Sequence, residues 1–233
     1  MSHTPTNAIL DGLPAELRES LIARMQVVSL PVGTEILKPG QEPQFAHFMT
    51  SGITSVVTFM SDGGGAEVGL IGREGVVEGI NLLGSAKSPT TAFVQVAGSA
   101  LKMRFEELQG EAFKSEPLLR GILGFVQTHT FTLSQLAACT GLHEIEERLA
   151  RWLLMVGDRL ESERFNLTQE FLAEMLGTRR TSVTLAAGSL QRSGLIEYKR
   201  GHIRILDREK LQSAACECYP IVRALLPCAN GAA

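Results

Sequence analysis

The sequence predicts an α+β protein with a β-rich N-terminal half, a long uncharged helix and a C-terminal winged helix-turn-helix. Three observations carry this. The first 110 residues hold 14 of the 23 glycines and alternate short apolar segments with turn signals. Residues 121–143 contain no Asp, Glu, Lys or Arg, yet apolar residues recur through 118–137 at helical spacing. Residues 167–206 read as two short helices followed by a basic hairpin. With 233 residues, 44% hydrophobic and 20% charged, the chain is long enough for real cores and is not a disordered polymer.

A short helix is expected over Pro14–Met25, with Leu17, Leu21 and Ile22 on one side. Strand-like segments follow at Val27–Leu30, Glu35–Leu37, Phe45–Met49, Thr54–Phe59, Ala66–Ile71 and Thr91–Val96. Between them stand PVG, KPGQEP, SDGGG and GSAKSP, the turn chemistry of an antiparallel barrel, sandwich or jelly roll. From Ser115 to Thr140 the only proline falls near the start, where a helix tolerates it. A helix uncharged around its whole circumference needs burial on more than one side. Its own domain supplies one side, and a second copy of the same helix accounts for the other, the alternative being a helix buried wholly within its own domain. A further amphipathic helix is expected over Glu144–Leu160, with the domain boundary at about 138–143.

The most specific signal is LTQEFLAEMLGTRRTSVTLAAGSLQRSG at 167–194. Thr168 is placed to cap a helix that buries Phe171, Leu172, Met175 and Leu176, and Gly177 to end it. A second helix is expected from about Arg179 to Ser193, with Val183, Ala186, Ala187 and Leu190 inward. The spacing Ala173, Gly177, Val183 gives a small residue for a close crossing, a turn glycine and a β-branched residue for the shared core. In such a motif the start of the second helix reaches base edges in the major groove. Arg180 is the expected base reader, since Arg pairs bidentately with guanine. Thr168, Arg179 and Ser182 are assigned mainly to phosphates, with Gln169, Thr181 and Thr184 completing the surface. GLIEYKRGHIRIL at 194–206 then forms a hairpin wing whose Lys199, Arg200, His202 and Arg204 suit a sugar–phosphate backbone.

The formal net charge of −3 hides an asymmetry. Residues 1–143 carry 9 basic and 13 acidic side chains, whereas 179–210 carry 8 and 3. That local surplus is what a polyanion meets. No G-x-S-x-G, Walker, H-E-x-x-H or paired-carboxylate pattern appears, so no catalytic residue is assigned and no enzyme is expected. Gln127, Thr128, His129, Thr130, Thr132, Ser134 and Gln135 make the uncharged helix too polar for lipid. The first residues lack a basic and apolar leader, so a cytoplasmic protein with reduced thiols is expected, without membrane association. Cys216 and Cys218 form only a C-x-C pair, read as part of a C-terminal helix on which residues two apart face away from each other. No metal ligands are therefore assigned, and the roles of Cys139, Cys216, Cys218 and Cys228 stay open.

A glycine-punctuated β-domain, a long helix and a winged helix-turn-helix together resemble the Crp/Fnr family of bacterial transcription regulators. Gly33, Gly40 and Gly52 look like the turn glycines of the family's cyclic-nucleotide-binding β-roll, and TQEFLAEMLGTRRTSV at 168–183 is similar to its DNA-binding signature. RLARWLLMVGDR at 148–159 and CECY at 216–219 resemble a subgroup common in soil and plant-associated bacteria. The resemblance implies a jelly-roll-like sensor over 1–114, a dimerisation helix over 115–140 and a DNA-binding domain over 141–233. It further implies a homodimer on a two-fold symmetric double-stranded DNA site, with RNA polymerase as a partner if the protein activates.

Departures from the family pattern define the remaining expectations. The effector pocket would comprise Glu78, Gly79, Ile80, Asn81, Thr90 and Thr91, with Thr90 where cyclic-AMP binders place an arginine. Losing that charged hydrogen bond costs about 1.5–3 kcal/mol, so the expected effector is not ordinary cyclic AMP. No Cys precedes position 139, which excludes the family's N-terminal iron–sulfur cluster. His3, His47, His129, His143 and His202 form no haem-binding pattern, so no cofactor is assigned. Leu185 stands where relatives carry a second arginine, and Thr181 where they carry a glutamate. A different half-site is therefore expected. A thiol-redox-responsive or constitutive regulator without a small-molecule effector is the alternative.

Overall fold

The computed structural model describes residues 7–61, 63–84 and 86–226, so Cys228 lies outside the described residues. Two compact units form, one on residues up to 56 and 69–131, the other on 57–68 and 132–225.

In the first unit, α1 (Ala8–Asp11) and α2 (Ala15–Ile22) precede the sheet. Asn7 explains why the chain turns helical at residue 8. Its Oδ1 accepts from Ile9 N and Leu10 N, while its Nδ2 donates to Met49 O and Gly75 O. The helix expected over Pro14–Met25 is thus shorter, and α1 stands before it. The sheet contains β1 (Gln26–Leu30), β2 (Glu35–Leu37), β3 (Phe45–Phe59), β4 (Gly65–Ile71) and β5 (Thr91–Arg104). Its order is β1-β5-β3-β4, with β2 also on β5. β1 and β2 both run antiparallel to β5, with Gln26 opposite Lys102 and Glu35 opposite Phe93.

Gly33 and Gly40 sit in turns with φ of +81° and +74°. Gly52 does not separate two strands, because β3 runs unbroken from Phe45 to Phe59. Its φ of +75° and a Cβ position only 2.5 Å from Val96 O make it a close-approach residue within a strand. A one-turn 3-10 helix (Gly79–Leu83) and α3 (Phe105–Ala112) complete the unit. Its core is built on Leu10, Leu21, Phe48, Val76, Leu101 and Leu108.

The long helix α4 spans Glu116–Leu142. Leu118, Ile122 and Val126, one turn apart, enter the first unit's core. Leu123, Gln127, Thr130, Phe131, Ser134, Ala138 and Leu142 instead face outward, with Leu142 79% exposed. No helix among the described residues is long and apolar enough to cross a membrane.

The second unit is organised around α5 (Ile145–Leu160), whose Leu149, Leu153 and Val156 are fully buried. Glu147 caps its start by accepting from the Glu144 N–H at 3.1 Å. There follow β6 (Arg164–Asn166), α6 (Gln169–Met175), α7 (Arg180–Arg192), β7 (Ile196–Lys199), β8 (His202–Ile205), α8 (Arg208–Ala214) and α9 (Cys218–Leu225). Arg208 joins α5 to the C-terminal helices, pairing with Asp158 and with Glu163 at 3.0 Å, while Tyr219 donates to Asp158 at 3.0 Å. The adjoining ends of β3 and β4 over residues 57–68 belong to this unit, where Glu67 Oε1 accepts from Trp152 Nε1 at 2.8 Å.

Candidate nucleic-acid interface

α6 and α7 cross as a helix-turn-helix for reasons visible residue by residue. Thr168 Oγ1 accepts from the Phe171 N–H at 3.2 Å and starts α6. Gly177, with φ of +57°, takes the left-handed conformation that the turn requires. Ala173, Val183, Ala186, Ala187 and Leu190 are buried between the helices. Arg148, itself buried on α5, donates to the Leu176 carbonyl at the end of α6 and so fixes the motif on its support.

This packing leaves Arg179, Arg180, Thr181 and Thr184 exposed and Ser182 half-buried at the start of α7. Arg180 Nη1 lies 2.7 Å from Glu170 Oε1. Thr184 Oγ1 lies 2.8 Å from Gln169 Oε1. The side chains expected to face DNA are therefore already in register with one another across the two helices. Leu185 is 73% exposed beside them.

The wing forms as expected, with Arg200 (φ +51°) and Gly201 (φ +82°) making the tight two-residue turn. Lys199, Arg200, His202 and Arg204 are exposed. Sequence reasoning missed the third strand. β6 pairs with β8, setting Arg164 opposite Arg204 and Asn166 opposite His202. Arg164, Asn166, Lys199, Arg200, His202 and Arg204 consequently line one cleft of about 720 Å³. A second cleft of about 360 Å³ brings Thr168, Gln169, Arg180 and Arg200 together. The wing is fastened to the helices by Leu167 N donating to Gly201 O at 2.7 Å and Tyr198 OH donating to Leu167 O at 2.8 Å. Burial raises the Tyr198 hydroxyl to about 12, so it remains a donor.

The residues expected to form an effector pocket behave differently. Glu78 is buried, and its carboxylate is occupied by the His47 backbone N–H at 2.8 Å and His47 Nδ1 at 2.6 Å. Gly79 is buried, Ile80 is exposed, and the Asn81 Oδ1 is buried without a hydrogen-bond partner. Thr90 contacts Ser88 Oγ at 2.8 Å, and Thr91 begins β5.

The cysteines are where the structure corrects the sequence reading. α8 ends at Ala214 and α9 begins at Cys218, so Cys216 sits between two helices and the C-x-C pair does not lie on one. Cys139, His143, Cys216 and Cys218 converge, with their ligand-type atoms all within 4.8 Å of one another. No metal-ligating set was expected here. The legible signal was the Cys139–His143 spacing of four residues, which places both on one helical face. Hydrogen bonding to Cys216 lowers the Cys139 thiol to about 5 against the opposing effect of burial, and Arg151 adds to the lowering. The Cys216 thiol is pushed up correspondingly.

A helix-turn-helix presenting its second helix beside a basic three-stranded wing is the architecture of a DNA-binding domain. Residues 147–214 match the Crp-like helix-turn-helix domain family. No curated protein matches the chain significantly. Among solved structures, FixK2 from Bradyrhizobium japonicum is 17% identical, covering 82% of this chain and 98% of its own, with a TM-score of 0.70. A CRP-family transcriptional regulator from Thermus thermophilus is 19% identical, covering 83% and 100%, with a TM-score of 0.67. The c-di-GMP responsive global regulator CLP of Xanthomonas campestris is 16% identical, covering 82% and 99%, with a TM-score of 0.68. The chain thus has the Crp/Fnr regulator fold, antiparallel β-roll included, and carries a Crp-like helix-turn-helix DNA-binding domain. The Thermus and Xanthomonas neighbours are described as a transcriptional regulator and a global regulator.

Proposed function

We propose that the protein is a cytoplasmic, homodimeric, sequence-specific transcription regulator that binds a two-fold symmetric DNA site. The observation that carries this reading is the exposed set Arg179, Arg180, Thr181 and Thr184 at the start of α7, placed beside Thr168, Gln169 and the basic wing. Dimerisation is supported by the outward, uncharged stripe of α4, where Leu123, Phe131 and Leu142 are exposed. Two such domains would enter successive major grooves about 34 Å apart. Arg180 reads a base, while Thr168, Arg179, Ser182, Lys199, Arg200 and His202 position the backbone. RNA polymerase is the further partner if the outcome is activation.

The effector, if the β-roll takes one, is not ordinary cyclic AMP. Thr90 offers no cation to a phosphate, and the Glu78 carboxylate is engaged with His47. A second reading, a thiol-redox-responsive regulator, is favoured by the 3.6 Å approach of Cys139 Sγ to Cys216 Sγ.

The test is selection of bound duplexes from a random library, alone and with cyclic AMP, cyclic di-GMP or an oxidant. The expected product is a palindromic site that cyclic AMP does not sharpen. Arg180→Ala should relax its sequence preference, whereas Lys199→Ala and Arg200→Ala should weaken binding uniformly and flatten its salt dependence. Selection of no site, or equal loss of specificity from all three variants, would overturn the reading.

A further inference from the structure

We propose that Cys139, His143, Cys216 and Cys218 form a structural zinc site that ties the end of α4 to the junction of α8 and α9. Cys139 Sγ lies 3.6 Å from Cys216 Sγ, and Cys218 Sγ lies 3.6 Å from His143 Nδ1. A tetrahedral zinc with Zn–S of about 2.3 Å and Zn–N of about 2.0–2.1 Å has S···S edges of about 3.8 Å and S···N edges of about 3.5–3.6 Å. The observed S···N separation matches its edge and the S···S separation lies slightly inside its own, within a set of donor atoms spread over no more than 4.8 Å. Three thiolates and one imidazole are a closed donor set, as structural zinc prefers.

The surroundings fit a metal better than four unrelated side chains. His143 offers Nδ1 to the cluster while its Nε2 lies 2.9 Å from Glu217 Oε2. A carboxylate on the outer nitrogen fixes the ring and its tautomer, which is the usual support of a zinc-bound histidine. Gln135 Nε2 donates to Cys218 Sγ at 3.2 Å. All three sulfurs are buried. Binding Zn²⁺ displaces the protons that the thiols still carry, and three thiolates, a neutral imidazole and Zn²⁺ leave the filled site with a single net negative charge. Two buried cations on α5 answer it. Arg151 acts on Cys139, and Arg148 on Cys139 and Cys216, and the Nε of each guanidinium has no hydrogen-bond partner.

The experiment uses the full chain, reduced, stripped with a chelator and titrated with Zn²⁺ and separately with Co²⁺. One equivalent of zinc should survive gel filtration. The cobalt form should show the intense visible bands of a tetrahedral site with thiolate charge transfer. Cys139→Ser and His143→Ala should abolish those bands. Glu217→Gln alters only the outer, exposed carboxylate and keeps the fold intact, and should weaken metal binding by about 10–100-fold. The proposal fails if the folded, reduced protein retains no metal or gives a weak octahedral cobalt spectrum. It fails equally if Cys139→Ser and Cys218→Ser bind zinc like the parent. A Cys139–Cys216 disulfide found by mass spectrometry, with no zinc uptake after its reduction, would replace the metal site with a redox pair.

Discussion

On the proposed role of Arg180 as the base reader, replacing Glu170 with Gln should tighten DNA binding, because the guanidinium would have to leave Glu170 to reach a base. The 2.7 Å separation would give about 1.5 kcal/mol of attraction at the dielectric of water. The two side chains are 64% and 62% exposed, so screening and side-chain entropy reduce that figure to about 0.2–1 kcal/mol. Released on binding, this amounts to about a 1.4- to 5-fold tighter Kd. Fluorescence anisotropy on a selected duplex at two salt concentrations measures it directly. The gain should shrink at high salt, since an exposed pair is screened. It should also vanish in an Arg180→Ala background, where there is no guanidinium to free. Glu170→Gln binding no tighter at low salt, or a gain that persists without Arg180, would refute the reasoning.

Two stability measurements probe the scaffold beneath this surface. Val183→Ala removes two methyl groups from a fully buried site between α6 and α7. Transfer and cavity costs together predict a loss of about 2–3 kcal/mol in urea unfolding, with an unchanged m-value. At the start of α8, Asp207 accepts from Lys210 N at 3.0 Å and pairs with Lys210 Nζ at 2.8 Å. Those contacts hold its carboxyl below the usual aspartate range. Its contribution is therefore complete above the unfolded-state value and lost as pH falls through the lower folded-state value. The stability gap between parent and Asp207→Ala should close on that acid limb and stay constant at neutral pH.

What the sequence disclosed was local chemistry. Thr168, Gly177 and Val183 each act within a few residues of themselves, so their spacing announced the helix-turn-helix. The Arg200–Gly201 turn announced the wing for the same reason. β6 went unseen because three residues carry too little alternation to register; only its pairing with β8 gives it meaning. In the sequence β3 reads as two segments because Gly52 looks like a turn, whereas it is the close approach of β5 that demands glycine there. The thiol cluster needed the return of the chain from 139 to 216, a long-range fact no spacing rule contains. A continuous helix through Cys216 and Cys218 would turn the two thiols apart, and the break between α8 and α9 removes that constraint.

The bond from Leu167 N to Gly201 O, beside the Tyr198 hydroxyl on Leu167 O, makes the wing tip and the first residue of the helix-turn-helix a single rigid caliper. Thr168 and Arg200 then stand a fixed distance apart, whatever duplex lies between them. A flexible wing would follow the backbone of any sequence. A caliper instead penalises duplexes whose groove has the wrong width, so base pairs that no side chain touches acquire a cost through the stiffness of the DNA itself. Tyr198→Phe loosens the jaw without removing a single charge that faces DNA.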